Sequence, residues 1–508
     1  MNLHKNNNIK NKKYTPANEG MTDARGTLSS CLADNIEVLE RLLPLKKSFD
    51  LMTRTLYIGG TECFFIGVNG FCKTEVLQHI FSDLQNPDFM GGSEIENIQS
   101  FMDSKIGFAQ TSLSSSWDEI IRNLLSGPCV LFVDGFSMAI LLDARSYPAR
   151  SISEPDSERI TRGARDGFVE TLLYNTSLIR RHVRSPRLTF EMHSVGTESR
   201  TDVAVAYLAD SVNHELLEKL SQTIDSLQIT SLTMGAKSLE EMLVKKRWWT
   251  PLPCIHMTER PDVAASYITE GHILIIVDNS PTVLILPCTI FQFTQSPEDY
   301  YKSPMVGGYF RFVRFLCIPI SLLLMPAFLL ITAYYPQLAQ KWGIISTEGI
   351  TSLHLIIYVL AVEFLLDLFK YSASVSSSRF SGSLSIVGGL LIGDIAVSLN
   401  WASVEVLFYA AVTLLTSLSL ASVEFADALR LYRIFLIVLT AFWGKWGFIA
   451  GLTLVSCSII CTPTFGGMSY FWPLLPFNGK ALAALLFRRV TSKAQPSVVW
   501  SRGHVHDK

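Results

Sequence analysis

Phe315-Leu-Cys-Ile-Pro-Ile-Ser-Leu-Leu-Leu-Met-Pro-Ala-Phe-Leu-Leu-Ile-Thr-Ala-Tyr-Tyr335 contains no charged residue. At about 1.5 Å rise per residue, a helix of this length crosses the roughly 30 Å hydrocarbon core of a bilayer. Arg311 and Arg314 precede it, and Tyr334 and Tyr335 close it, as basic and aromatic residues do at the two interfaces of a membrane. Pro319 and Pro326 are tolerated in such a helix where neighbours satisfy the freed carbonyls. The chain therefore divides at this point: charged, mixed sequence before it and sparsely charged sequence from Phe315 to Pro476.

The 508 residues carry a net charge of −2 and a mean hydropathy of +0.28, high for a wholly soluble protein and without the basic excess of a nucleic-acid binder. Nine cysteines are scattered, none in a Cys-x-x-Cys pair, which argues against a disulfide framework or a structural zinc site. The first residues are basic and polar without an apolar stretch, so 1–33 reads as a disordered tail, with Met21 a second candidate start.

Residues 34–150 read as a first α/β unit. Asp34 to Leu43 has helical spacing; Thr55 to Ile58 and Glu62 to Val68 are strands around Gly59-Gly60; Thr74 to Leu84 is an amphipathic helix. Asp134-Gly135 between two apolar runs signals a hairpin. Residues 151–187 form an arginine-rich connector: from Arg150 to Arg187 inclusive, eight arginines are interleaved with acids and no lysine occurs. The planar guanidinium suits fixed pairing with carboxylates, so Glu154, Glu158, Arg159, Arg162, Arg165, Arg180 and Arg181 are candidates for a domain or subunit interface. Within the connector Gly167 to Val183 reads as a helix burying Phe168, Leu172 and Ile179, with Arg180 and Arg181 emerging at its end. A second α/β unit covers 188–305, with a hairpin of His272 to Val277 and Thr282 to Leu286.

The membrane domain spans 306–476 and holds four to five helical segments: the first span, Leu353 to Phe369, Ser383 to Asn400 (a span or a re-entrant piece), Ala402 to Leu420, and Ile434 to Cys461. Counting Ser383 to Asn400 as a span requires the last segment to double back. Basic residues before Phe315 and after Phe487 place both ends, including a tail at 477–508, in the cytoplasm. Glu363, Asp367, Asp394 and Glu405 fall in or beside apolar segments, where a lipid-facing carboxylate is costly, so they are candidates for an ion path. Glu363→Gln is expected to fold normally and to lower cation flux. No phosphate-binding, dinucleotide, hydrolase or metalloprotease motif is present, the histidines are scattered without ligand spacing, and no catalytic residue, metal site or cofactor is assigned.

Ser153-Glu-Pro-Asp-Ser-Glu-Arg-Ile-Thr-Arg-Gly-Ala-Arg-Asp-Gly-Phe-Val-Glu170 and Asn175-Thr-Ser-Leu-Ile-Arg-Arg181 closely resemble the signature of GerA-type spore germinant receptor A subunits. Thr282 to Pro287, Gln295 to Tyr301 and Ser385 to Gly393 match as well, and the resemblance covers roughly residues 40–490. The family usually has proline and glutamate where this chain has Ala164 and Asp166, and the ending Phe471 to Lys480 looks closer to the stage V sporulation AF branch. The resemblance implies an integral protein of the spore inner membrane whose copies oligomerise, as a pentamer, around a pathway for monovalent cations. It also implies a permease-like B subunit and a lipoprotein C subunit as partners, or another membrane partner in the AF branch. A non-conducting scaffold that couples a germinant-binding partner to other germination proteins is the alternative.

Overall fold

The computed structural model describes residues 26–72, 74–85, 97–106, 110–146, 163–244, 249–342, 352–375, 404–467 and 469–486, together with Ile95. Glu154, Glu158, Arg159, Arg162, Asp394 and the segment 383–400 lie outside the described residues, as do the N-terminal 25 residues and those after Leu486.

The first unit runs α1 (Leu32–Leu42), β1 (Leu51–Ile58), β2 (Thr61–Val68), α2 (Thr74–Gln85), α3 (Ile98–Lys105), β3 (Thr111–Ser114), α4 (Trp117–Ser126), β4 (Cys129–Val133) and β5 (Ala139–Leu142). The second runs α5 (Leu172–His182), β6 (Leu188–Val195), β7 (Thr201–Leu208), α6 (His214–Asp225), α7 (Ala236–Leu243), β8 (His256–Thr258), α8 (Pro261–Thr269), β9 (Ile273–Val277) and β10 (Val283–Leu286). The order of elements is the same. So is the sheet topology, β1-β2-β4-β5-β3 in one unit and β6-β7-β9-β10-β8 in the other, with every pairing antiparallel. The two units are a structural duplication.

The duplication extends to individual hydrogen bonds. Asn35 is bracketed by the Ser29 backbone, accepting at 3.0 Å and donating at 2.7 Å. Asn175 makes the same pair with Val169 at 2.8 and 2.6 Å. The first N–H of α1 donates to Asp134 at 2.9 Å and that of α5 to Asp278 at 3.1 Å, so in both units a carboxylate on the hairpin turn satisfies an orphan donor and complements the helix dipole. This changes the reading of the connector: residues 163–187 open the second unit, and the helix starts at Leu172 because the Asn175 side chain holds the residues before it extended. Phe168 is buried ahead of the helix rather than in it.

Arg180 does not emerge into solvent. It is 1% exposed and pairs at 2.7 Å with Asp50 of the first unit, itself 2% exposed. Its remaining donors reach the Ser185 and Leu188 carbonyls, both at 2.9 Å, and its guanidinium lies over the Phe190 ring. Ser48 donates to Asp50 and accepts from the Phe190 N–H. Arg180 thus joins the two units within one chain and is not available to another subunit. Arg165 and Arg181 are exposed.

The helical region comprises α9 (Pro304–Tyr334), α10 (Ser352–Val375), α11 (Val404–Leu418) and α12 (Val423–Ile460). Among the described residues, α9 and α12 are long and apolar enough to cross a membrane. Helix α12 is not straight. Gly444 adopts φ 52° and ψ −130°, and the Tyr432 and Ser458 hydroxyls, 26 residues apart, lie 2.7 Å from each other. In a continuous helix they would be about 39 Å apart. The segment is a helical hairpin with its tip at Gly444, and the doubling back that the sequence requires of a five-segment count takes place there. A Cβ on Gly447 would lie 2.0 Å from the Leu439 carbonyl oxygen, so the close approach of the two limbs needs glycine.

The α/β units and the helices are bolted together. Arg314 grips Asp299 with two hydrogen bonds of 2.8 and 3.0 Å, and Arg311 approaches the same carboxylate at 3.5 Å. Phe465, just past the hairpin, enters the core of the second unit, and Tyr470 donates to the Pro253 carbonyl at 2.8 Å. The region read as a C-terminal tail contains α13 (Gly479–Leu486), whose Leu485 carbonyl accepts from Arg311.

Two predictions concern buried ionisable groups. Arg180→Ala strands Asp50 in a dry seam and is expected to cost about 3–5 kcal/mol in denaturant unfolding, with Arg180→Lys recovering only part because the fork is lost; an unchanged unfolding midpoint for the alanine variant would remove the seam's importance. Burial pushes the His272 imidazole from 6.5 down to about 4. The folded protein therefore resists a proton that the unfolded chain accepts below about pH 6.5, and stability falls as pH drops from there toward 4. The group's share is about 3 kcal/mol at most. His272→Gln should flatten the fall in unfolding temperature between pH 7 and 4.5, and an unaltered slope would contradict this.

Candidate functional site: a charged ladder in the helical region

The apolar sequence of α10 is interrupted by Glu363, Asp367 and Lys370, at i, i+4 and i+7 and so on one helical face. The first limb of α12 carries Asp427, Arg430 and Arg433 at i, i+3 and i+6. The two helices run antiparallel, and the charges meet in order: Glu363 with Arg433, Asp367 with Arg430, and Lys370 with Asp427.

The three rungs differ in burial and hence in worth. Glu363 and Arg433 are 2% and 4% exposed and paired through two hydrogen bonds, of 2.9 and 2.8 Å. The third nitrogen of Arg433 donates to the Ser321 carbonyl of α9 at 2.9 Å, so one side chain ties three helices. Asp367 and Arg430 are 30% and 17% exposed; Lys370 and Asp427, at 31% and 50%, form the wet end, where a pair contributes on the order of 0–1 kcal/mol. A crevice of about 80 Å³ opens beside the wetter rungs, lined by Asp367, Lys370, Arg430 and Ser417 among others.

Of the candidate ion-path residues, Glu363 and Asp367 are brought together in this ladder, while Glu405 sits half-buried in the first turn of α11. Glu363 does not present a free carboxylate. Its charge is balanced within the chain, because a buried guanidinium with matching geometry stabilises it better than water at the same depth could. Arg430 and Arg433 are not among the candidates that the sequence alone singles out. Their three-residue spacing opposite the four-residue spacing of Glu363 and Asp367 was the available signal.

Glu363→Gln is consequently expected to destabilise rather than to spare folding, by about 3–5 kcal/mol, since it leaves Arg433 buried and unpaired. Arg433→Met should do the same, and the double variant Glu363→Gln/Arg433→Met should recover much of the loss. Thermal unfolding in detergent reads all three, and additive losses in the double variant would show that the pair is not coupled.

The family model described as Bacillus/Clostridium GerA spore germination protein matches residues 40–497. Stage V sporulation protein AF of Bacillus subtilis (strain 168) is 33% identical over 92% of this chain and 94% of its own length. Spore germination protein KA of the same strain is 29% identical over 91% and 85%. Among solved structures, the N-terminal domain of the A subunit of the Bacillus megaterium spore germinant receptor GerK3 aligns at 22% identity with a TM-score of 0.40, covering 51% of this chain and 96% of that one. With the family model spanning most of the sequence, the chain belongs to the GerA family of spore germination proteins.

Proposed function

We propose that the protein is a multi-pass membrane subunit of a spore germination complex, with its α/β units and both ends in the cytoplasm, whose copies assemble around a path for monovalent cations. The observation that carries the membrane assignment is where the exposed apolar residues lie. Leu353, Ile357, Phe364 and Leu368 of α10, Phe408 and Leu415 of α11, and Ile449 and Leu454 of α12 all face outward, a distribution that a soluble surface avoids and lipid favours. Exposed aromatics gather at both ends of α9: Tyr309 and Phe312 near the soluble units, and Tyr334, Trp443 and Trp446 at the hairpin tip. From 312 to 334 a helix rises about 33 Å, which fits two interfacial belts. The α/β units and residues 465–467 and 469–486 sit at the same end, which supports both ends on one side.

In this reading the ladder holds the bundle of each protomer together, and the path forms where protomers meet, as a pentamer in the arrangement implied by the resemblance. Glu405 and Asp394 are candidate path acids on their place in apolar sequence alone, and a permease-like B subunit and a lipoprotein C subunit, or another membrane partner, complete the complex. The pairing of both Glu363 and Asp367 with arginine gives weight to a second reading, a non-conducting scaffold that transmits a partner's signal through the Asp299 and Phe465 junctions. Neither reading assigns catalysis.

Purified oligomer in liposomes discriminates: cation flux from a homo-oligomer of defined subunit number supports the channel, whereas an assembled but silent oligomer supports the scaffold. Orientation is tested by Ser492→Cys, which an impermeant thiol reagent added outside intact cells should fail to label; labelling before permeabilisation would reverse the topology.

A further inference from the structure

Two of the scattered cysteines come together in the first unit. The sulfurs of Cys72 and Cys129, separated by 57 residues, lie 3.1 Å apart. Cys129 opens β4 and is fully buried. Cys72 is half-buried in the connection from β2 to α2, where it bridges to Arg145. A disulfide bond is about 2.05 Å long, so closing the pair asks for a sulfur displacement of only about 1 Å.

The neighbouring strand is cut to allow this approach. The register between β2 and β4 runs from Cys63 opposite Val133 to Ile66 opposite Val130, which brings Gly67 beside Cys129. A Cβ on Gly67 would stand 2.9 Å from the Cys129 sulfur, and Gly67 does not occupy the left-handed region. Space, not backbone conformation, therefore calls for glycine here: the Cys129 sulfur leans across β2 toward Cys72. The two sulfurs share a hydrogen bond that either thiol can donate; it lowers the Cys72 pKa, while the same bond and then burial hold Cys129 up as a neutral thiol. Cys72 is thus both the more accessible sulfur and the one with more thiolate character.

We infer that Cys72 and Cys129 form an oxidation site at which a hydroperoxide produces an intramolecular disulfide. The Cys72 thiolate attacks one peroxide oxygen, the O–O bond breaks, and the departing hydroxide takes up a proton as water, leaving a sulfenic acid on Cys72. The Cys129 sulfur then attacks the Cys72 sulfur as its proton passes to the departing hydroxide, which leaves as a second water. In sum, two thiols and one hydrogen peroxide give one disulfide and two waters, with two electrons passing from sulfur to oxygen. The bond ties the connection ahead of α2 to β4, and a small dithiol reverses it by exchange.

The test treats full-length protein in detergent with hydrogen peroxide, alkylates the remaining thiols and maps peptides without reduction. A peptide linked through Cys72 and Cys129 is expected, together with the loss of these two alkylatable thiols and their return after dithiothreitol. Gly67→Ala keeps both thiols but fills the space beside Cys129, and the linked peptide should be lost. Should that variant fail to fold, Cys72→Ser serves instead, and Cys129 should then stay reduced at peroxide levels that link the parent protein. The inference is overturned if both thiols remain alkylatable once the exposed Cys31 is oxidised. It is equally overturned if Cys72 accumulates as an unlinked sulfinic acid, or if links form between copies.

Discussion

Arg433 is the constraint on which the helical region depends. Its guanidinium sits between three helices, taking both oxygens of Glu363 and one carbonyl of α9. A buried ion pair adds little stability over a well-packed apolar alternative, yet removing one member is severe. The pair therefore acts as a registry device: only one rotation and one axial position of α10 against α12 satisfies both groups. The two outer rungs, being wetter, refine that register more than they stabilise it.

The same logic recurs in the α/β half. Two units of the same topology are joined by Arg180 and Asp50, a pair as dry as Arg433 and Glu363. At the position in α1 that matches Arg180, the first unit has Glu40, which faces solvent beside Lys46. The duplicated helix thus plays two parts, one copy exposed and the other clamped between units. Asp299, held by Arg314 and approached by Arg311, then connects this rigid pair to α9. Buried arginine–carboxylate pairs accordingly mark each joint of the chain: unit to unit, unit to apolar helix, and helix to helix.

Phe465 and Tyr470 give the second unit a further hold on the α12 hairpin, and Lys237 reaches Glu424 at its start. The second unit is therefore mechanically continuous with both limbs of the hairpin, whereas the first unit reaches the helices through the Asp50–Arg180 seam. A rearrangement in the second unit has a direct route into the helical bundle, a property useful to a channel and a scaffold alike.

Much of this architecture was legible locally. Gly59-Gly60 and Asp134-Gly135 mark hairpins because their backbone needs are intrinsic, and the uncharged run from Phe315 announces a long apolar helix because length and composition suffice. The duplication was not legible, since what repeats is a set of hydrogen bonds carried by few side chains, Asn35 with Asn175 and Asp134 with Asp278. Arg180 at a helix end reads as a solvated cation; only the docking of Asp50 from 130 residues away makes it a core residue. Glu363 was recognised as an acid that cannot face lipid, which follows from desolvation alone. That its partner is Arg433, and that the last apolar segment turns back at Gly444, depend on which helices meet. Sequence determined the elements and the cost of each buried charge, while tertiary structure decided the partners, because an ion pair is a property of two positions brought together in space.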